Sequence, residues 1–491
     1  MKYRLIQTLI IIAIAACVSA QTRSFKRGFC GNLESAADIE ASVHLSWFYN
    51  WYHSPEESVK DILADRIDFV PMAWGSYYNR DALKAYLTEH SETEYLLGFN
   101  EPNFIHQANI GPKAAAALWP ELQEIADDFN LKLVGPAMNF SYSGGAVTEE
   151  GVEYTDPIQY LDSFFIALPP DSRVDYVAIH GYFDYASAFP WYVGLYEKYN
   201  RPVWITEFNH SASWVSEVSQ QNFMVEALNY MEQEPKVFRY AWFLARSSQS
   251  NTNLFQAGTD GVLTDLGQIF SNMSTYDSSF YHKPDSIIEA EHYINMSGIH
   301  LTATQDTGGI LAAHDFDAGD WMDYNVNVSE AGTYSAQFRI ASDRETSFSL
   351  YVDNKFIERI DIPSTGGLEE WQTITYDVDL NSGKQIVRIR PNGGGWKLNW
   401  WRLEESVSSV HLPAKESAIE IFPNPVYDRI LNITGAGNNS FVTITDMRGE
   451  SRARYQLSGD AVIDLSYFSA GFYILQVITD DKIVNQILLI P

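Results

Sequence analysis

The sequence predicts a multidomain chain: a (β/α)8 TIM barrel, then a β-sandwich module of jelly-roll type, then a small C-terminal β-sandwich. Three observations predict it. Residues 25–276 alternate short apolar strands with helical patterns, which reads as a parallel sheet with crossover helices. Residues 284–405 carry period-2 strands separated by Gly-, Asp- and Ser-rich turns, with no long helical pattern. Residues 417–491 read as a smaller β unit that opens on the stiff turn Phe422-Pro423-Asn424-Pro425.

In the first region the candidate strands are Arg27–Cys30, Leu45–Tyr49, Phe69–Trp74, Tyr95–Phe99, Leu131–Pro136, Tyr176–His180, Val203–Glu207 and Arg239–Leu244. Eight strands in roughly 250 residues is the count and size of a (β/α)8 barrel. Arg27–Cys30 is the weakest of the eight. Among the connections, Ser54, Pro55 and Glu57 line up as N-cap, first-turn proline and capping-box acid, and predict a helix there. In the second region the strands are Trp321–Val328, Gly332–Ile340, Ser347–Val352, Gln372–Val378 and Lys384–Arg390. The third carries Val442–Thr445 and Gly471–Val477.

The N-terminus reads as a signal peptide over residues 1–20: basic Lys2 and Arg4, an apolar run Leu9–Ala16, and a small-residue cut site at Val18-Ser19-Ala20. The rival reading is a lipobox, Ile14-Ala15-Ala16-Cys17, with Cys17 as a lipid anchor. After a cut at Ala20 only Cys30 remains, so packing and not disulfides must hold the folds. A formal net charge of −30 argues against binding to nucleic acid or to an anionic membrane, both of which need a basic footprint. An exported monomer acting on a neutral substrate fits this balance. Aromatics at 14% suit sugar-stacking surfaces, although aromatic cores explain such a content as well.

Barrel chemistry sits at the C-terminal ends of strands. Two strand ends carry a glutamate flanked by asparagine: Asn100-Glu101-Pro102-Asn103 after the fourth strand, and Glu207-Phe208-Asn209 after the seventh. Glycoside hydrolysis requires such a pair of carboxylates, one delivering a proton to the leaving oxygen and one ionised to attack or to activate water. Either glutamate alone reads as a loop or helix-capping acid; the two together at matching ends do not. Asn100 stands where it can bond a sugar hydroxyl. Trp47, Asn50 and Trp51, then Trp74, His180, Tyr182 and Trp242, lie at other strand ends and fit a sugar cleft with Asn103 and Asn209. Each of these also reads as core or rim. His180 has no second His or Cys at ligand spacing, so no metal or other cofactor is expected for catalysis.

The series Trp47-Phe48-Tyr49-Asn50-Trp51, Pro71-Met72-Ala73-Trp74, Gly98-Phe99-Asn100-Glu101-Pro102-Asn103, Ile179-His180-Gly181-Tyr182 and Trp204-Ile205-Thr206-Glu207-Phe208 resembles family 128 glycoside hydrolases. The resemblance covers residues 25–276. It implies a retaining endo-β-1,3-glucanase acting on laminarin- or curdlan-type glucans, with Glu101 as acid/base and Glu207 as nucleophile.

Ile288-Glu289-Ala290-Glu291, Gly319-Asp320-Trp321-Met322-Asp323-Tyr324, Ala331-Gly332-Thr333-Tyr334 and Leu398-Asn399-Trp400-Trp401 resemble family 6 carbohydrate-binding modules. The resemblance implies a structural Ca2+ near Glu289 and Glu291, and a sugar site in the loops at one sandwich end, for which Trp396 and Asn399 are the candidates. Hard carboxylate oxygens suit that ion, although two solvated strand-edge acids would read alike. Where these modules carry a loop tryptophan after Gly366-Gly367, Leu368-Glu369 stand before Trp371, so Trp371 reads as a buried residue and Trp396 as the platform. Finally, Phe422-Pro423-Asn424-Pro425, Asp446-Met447-Arg448-Gly449 and Ala470-Gly471-Phe472-Tyr473-Ile474 resemble the type IX secretion sorting domain, which implies export by that machinery to the cell surface or beyond. A third binding domain is the alternative. Two other functions stay open at this point: hydrolysis of another β-glycan such as β-1,4-glucan or xylan, and sugar binding by a barrel that has lost catalysis.

Overall fold

The computed structural model describes residues 23–63, 66–211, 215–248, 251–405, 419–427, 429–436, 438–479 and 483–491. The signal-peptide segment, Cys17 and the linker at 406–416 lie outside them.

All eight barrel strands form, in a single parallel sheet: β1 (Arg27–Cys30), β2 (Trp47–Tyr49), β3 (Asp68–Phe69), β4 (Tyr95–Leu97), β5 (Lys132–Met138), β6 (Tyr176–Phe183), β7 (Val203–His210) and β8 (Val237–Phe243). The order across the sheet is β3-β2-β1-β8-β7-β6-β5-β4. The sheet curls until its edges meet: the backbone after β3 pairs with β4, with Leu97 N donating to Pro71 O and Ala73 N to Leu97 O, both at 2.9 Å. Strand β1 occupies the predicted residues and sits mid-sheet between β2 and β8.

Among the described residues seven helices follow the strands: α1 (Ala36–Ala41), α2 (Arg80–Glu89), α3 (Pro112–Asp128), α4 (Pro157–Ala167), α5 (Phe189–Gly194), α6 (Glu217–Gln233) and α7 (Asp265–Asn272). Local sequence starts several of them. Asn79 caps α2 on the Ala82 N–H, Thr264 caps α7, and Ser216 with Ser219 closes a capping box on α6. The helix predicted from Ser54 does not form; the β2–β3 connection holds turns and a 3-10 turn at Lys60–Ile62. Competing bonds explain this. The Ser54 carbonyl, which a helix would use, accepts from the Asn50 amide at 3.1 Å, and Glu56 accepts from Asn32 at 2.7 Å.

Alternation decides what each strand residue faces. Trp47, Tyr49, Leu97, Val134, Ala178, Trp204 and Ala241 fill the inside of the curl, while Phe48, Leu96, Leu133 and Ile205 pack outward beneath the helices. The floor is an aromatic cage around Arg239, whose guanidinium lies 4.8 Å from Tyr95, 5.3 Å from Trp204 and 5.7 Å from Trp47, with Asp68 as its ion pair.

Residues from 288 to 405 form two antiparallel sheets face to face. One holds His300–Ala303, Leu311–His314, Trp396–Glu405, Gly332–Ser342 and Gly367–Leu380, with Ile288–Glu289 added to Trp396–Glu405. The other holds Asn295–Ser297, Trp321–Val328, Gly383–Pro391, Thr346–Val352 and Lys355–Ile362. Phe338, Phe348, Trp396 and Trp401 fill the space between. The sandwich is strapped to the barrel. His300 pairs with Glu226 of α6 at 3.4 Å, and Ser274 donates to the Tyr293 carbonyl. The connecting segment lies along Trp321–Val328, through His282 N to Asn325 O at 3.0 Å and Asn327 N to His282 O at 2.8 Å.

The C-terminal unit is separate and contains a three-stranded and a four-stranded antiparallel sheet around Val442, Ile444, Leu475, Val477 and Leu488. Its opening turn is pinned by Asn424, which donates to Ile487 O at 2.6 Å and accepts from Leu489 N at 2.9 Å.

Candidate active site

The two glutamates converge at one end of the barrel. Past β4 the chain follows β5, with Glu101 N donating to Ala137 O at 3.0 Å, and this places Glu101 in the left-handed region at φ 42. A non-glycine residue held there carries strain that the surroundings must maintain. Glu207 lies within β7, opposite His180 of β6. One carboxylate oxygen of Glu101, one of Glu207 and a ring nitrogen of His180 lie within 4.8 Å of one another.

Each carboxylate has its own set of donors. Glu207 Oε1 accepts from Trp51 Nε1 at 2.8 Å and from the Tyr49 hydroxyl at 3.1 Å, while Oε2 accepts from the Tyr182 hydroxyl at 2.5 Å. Glu101 Oε1 accepts from Asn139 Nδ2 at 3.1 Å. His180 Nδ1 stands between them, 2.8 Å from Glu101 and 3.3 Å from Glu207. These three groups have metal-ligand spacing, and hydrogen-bond donors also reach both oxygens of Glu207.

The electrostatics follow from burial and the triad. Burial alone would push the Glu101 carboxyl up, but the His180 charge and its hydrogen bond, with Asn139, hold it below its ordinary value. Burial would lower the His180 pKa; the Glu207 and Glu101 charges outweigh that and raise it. The Tyr49 and Tyr182 hydroxyls are pushed far up by burial and by the Glu207 charge, so both remain donors.

The structure sorts the predicted sugar residues. Trp51 and Trp74 line a cleft of about 510 Å3 together with Tyr52, His53 and Tyr77. Asn100 is buried with Oδ1 unpartnered. Trp47 and Trp242 are corrections. Both are fully buried, with indole N–H groups donating to Lys26 O at 3.0 Å and Thr252 O at 2.7 Å, because each sits on the strand proper and points into packed core. Asn50 is also structural: its amide bridges Asn32 and Ser54, and its oxygen accepts from Tyr52 N. Asn103 is fully buried and donates to Asn139 O at 2.9 Å, so it supports the residue that holds Glu101. The amide of Asn209 is tied to Phe243 O at 3.0 Å.

Tyr49 and Asn139 are functional residues that sequence reasoning missed. Tyr49 reads as an inward core residue. Asn139 follows β5 directly, and carrying that strand two residues beyond Pro136 would have found it. A second cavity, of about 310 Å3 among Lys60, Asp68, Tyr86, His90 and Glu94, opens at the N-terminal ends of β3 and β4, opposite the carboxylates.

In the sandwich, Glu289, Glu291 and Asn399 are buried, and Glu289 Oε2, Glu291 Oε2 and Asn399 Oδ1 have no partner. Burial lifts the Glu289 carboxyl to about 8, and burial with the Glu289 charge lifts the Glu291 carboxyl well above its ordinary value. Gly309 makes room: a Cβ there would fall 1.9 Å from Asn399 Oδ1 and 2.8 Å from Glu289 Oε2. Three orphaned oxygens in one place fit a hard cation. Asn399 therefore belongs to this group and not to a sugar surface. Trp396 is likewise corrected: it is buried, 4.3 Å from the Phe316 ring and stacked 5.4 Å from Phe348, and donates to Gly393 O. Trp371, expected to be buried, is the half-buried ring and borders a cavity of about 390 Å3 with Gln305, Asp306, Thr307, Arg339 and Glu369.

Residues 28–270 match a family described as glycosyl hydrolase catalytic core, 289–405 a carbohydrate binding module of family 6, and 420–490 a secretion system C-terminal sorting domain. The chain is similar to a GH128 (subgroup II) endo-beta-1,3-glucanase from Sorangium cellulosum, with 38% identity over 50% of this chain and 97% of that one and a TM-score of 0.45. It is 30% identical over 143 residues to the clotting factor G alpha subunit of Tachypleus tridentatus, covering 28% of this chain. It is 23% identical over 234 residues to the alkali-sensitive linkage protein 1 of Schizosaccharomyces pombe, covering 46% of this chain. The chain spans 21% of the first of these curated relatives and 40% of the second.

Proposed function

Because the chain belongs to the glycoside hydrolases, with their catalytic core at residues 28–270, we propose that it is a retaining endo-β-1,3-glucanase that works by double displacement. The observation that carries this reading is the carboxylate separation. Oxygens of Glu101 and Glu207 within 4.8 Å suit direct attack on the anomeric carbon, whereas an inverting pair stands roughly 6.5–9.5 Å apart to admit a water. An eight-stranded barrel with its chemistry at the strand C-termini supplies the frame.

Glu207, oriented by Tyr49, Trp51 and Tyr182, attacks C1 and forms a glycosyl ester. Glu101 protonates the departing oxygen, then takes a proton from the water that hydrolyses the ester. His180 Nδ1, 2.8 Å from Glu101, is the neighbour with which that carboxyl exchanges its proton. The substrate class follows the 38% identity to an endo-beta-1,3-glucanase over the catalytic half. The sandwich binds carbohydrate, with Trp371 as the proposed platform and Glu289, Glu291 and Asn399 holding a structural Ca2+. The tail directs export through type IX secretion, placing the enzyme at the cell surface or outside the cell.

The test is incubation of purified protein with laminarin, curdlan, carboxymethylcellulose and xylan, with the products resolved. Mixed short oligosaccharides released early from laminarin or curdlan are expected. Release only from the other two polymers would overturn the substrate, and glucose as sole product the endo action.

A further inference from the structure

Three strand ends bring a mixed donor set together. Glu101, His180 and Glu207 present two carboxylate oxygens and one ring nitrogen within 4.8 Å of one another. The side chains of Glu101 and Glu207 are 10% and 7% exposed, and that of His180 is fully buried. Their charges do not balance. Among the described residues neither carboxylate has a Lys or Arg partner, so with both ionised a buried negative charge is left over whichever state the ring is in. A dication set among the three groups cancels it.

The spacing is near that of a tetrahedral ion. Ligands about 2.0–2.1 Å from zinc stand roughly 3.3 Å from one another. His180 Nδ1 is 3.3 Å from Glu207 Oε2 and 2.8 Å from Glu101 Oε1. The third edge closes by turning the Glu101 carboxylate, whose terminal torsion is soft and whose donor besides His180 is Asn139. Lone pairs remain for the ion. A carboxylate offers about four acceptor sites, and the three donors on Glu207 leave one on Oε2, the oxygen that faces His180. Those donors also fix the carboxylate, as outer partners fix the ligands of metal sites. Nε2 of His180 has no partner, so that nitrogen can carry the ring proton while Nδ1 supplies its lone pair.

We propose that Glu101, His180 and Glu207 form an inhibitory site for a borderline transition-metal dication, zinc above all, which binds in place of substrate. One imidazole nitrogen with two carboxylate oxygens suits zinc, copper and nickel, whereas calcium and magnesium favour all-oxygen shells of about six or more ligands. The donor set therefore selects a different ion from the oxygen-only group of Glu289, Glu291 and Asn399 in the sandwich. Three protein ligands leave the fourth tetrahedral position for water. The ion occupies the lone pair with which Glu207 attacks C1 and the oxygen on which Glu101 carries its proton, so the loaded enzyme is idle. Inhibition rests on the two-carboxylate reading above; binding of the ion does not. An exported enzyme built this way is silenced where free zinc is high and released where zinc is chelated.

The experiment titrates zinc chloride into the full-length protein by calorimetry at neutral pH, with calcium in excess to occupy the sandwich group. One zinc per chain is expected. His180→Asn and Glu101→Gln should each weaken it by at least the ~10–100-fold that loss of a ligand's outer partner costs. Cobalt(II) gives a readout that needs no variant: its visible bands should intensify on binding, as four-coordination requires, and fade when zinc displaces it. On laminarin, zinc should raise the apparent KM and leave kcat unchanged, chelation should reverse this, and magnesium at the same concentration should do nothing. No zinc uptake, uptake that both variants retain in full, cobalt bands that stay weak, or equal inhibition by magnesium would overturn the site. Zinc uptake by a protein that cleaves none of the polymers would refute the two-carboxylate reading and leave the metal site standing.

Discussion

The imidazole Nδ1 of His180 lies 2.8 Å from Glu101 Oε1, both groups being buried, so the acid/base carboxylate and the histidine titrate as one unit. The raised His180 pKa gives stability that is complete below its unfolded value of about 6.5 and lost as pH rises through the folded value. The depressed Glu101 pKa gives stability present above about 4.3 and lost as pH falls through the folded value. In a kcat/KM profile the alkaline limb marks loss of the proton this pair shares. Replacing His180 with Asn removes the group that retains that proton longest. The alkaline limb should shift toward acid, and an unmoved limb would show that His180 takes no part in the proton economy.

The two glutamates should separate by leaving group. Glu207→Gln removes the nucleophile and should cost several orders of magnitude on laminarin and on an aryl glycoside alike. Glu101→Gln should cost roughly 10²–10⁴ on laminarin but much less for ester formation from an aryl glycoside, whose leaving group needs no proton. Burst kinetics read the difference, and a reversed pattern would exchange the two roles.

The buried acid pair in the sandwich makes a separate prediction about pH. Glu289, raised to about 8, and Glu291, also raised, bind more protons folded than unfolded. In chelator, stability should therefore fall as pH rises from about 4.3 toward about 8. Added Ca2+ should reverse the fall at pH 8. Melting curves in EDTA and in calcium test this directly, and identical curves at pH 8 would reject the cation.

Trp396→Ala should act on stability before binding. The ring is buried between Phe316 and Phe348, so its removal should cost about 3–5 kcal/mol, read from denaturant curves. Trp371→Ala should instead weaken retention on insoluble glucan with little change in melting. The opposite outcome would return the platform to Trp396.

The barrel strands were legible because each is a short apolar run, and the catalytic pair because strand ends are where such chemistry collects. Depth along a strand was not legible. Trp47 begins β2 and points into the core, whereas Trp51 lies just past its end and reaches Glu207. Four residues separate floor from mouth, and composition does not distinguish them. In the sandwich the pairing runs from Arg339↔Trp400 to Ile340↔Leu398, so Asn399 is an extra residue in its strand. That bulge shifts the alternation and turns Trp396 inward, a local irregularity that no hydrophobic pattern announces. The Ser54 helix failed for a related reason: a good capping signal lost to a side-chain amide already placed on its carbonyl.

The strapping of residues 282–327 across the seam changes how deletions should be interpreted. His282 in the connecting segment is bonded on both sides to the strand that carries Asn325 and Asn327, while His300 reaches back to α6. Cutting the gene after residue 276 would strip a wall from the catalytic half and bare helix faces that normally lie covered. A shortened enzyme that loses activity would then report a damaged scaffold as readily as a missing polysaccharide anchor. The two halves are better probed by point changes than by scissors, and grafting the sandwich onto another hydrolase requires carrying its seam along.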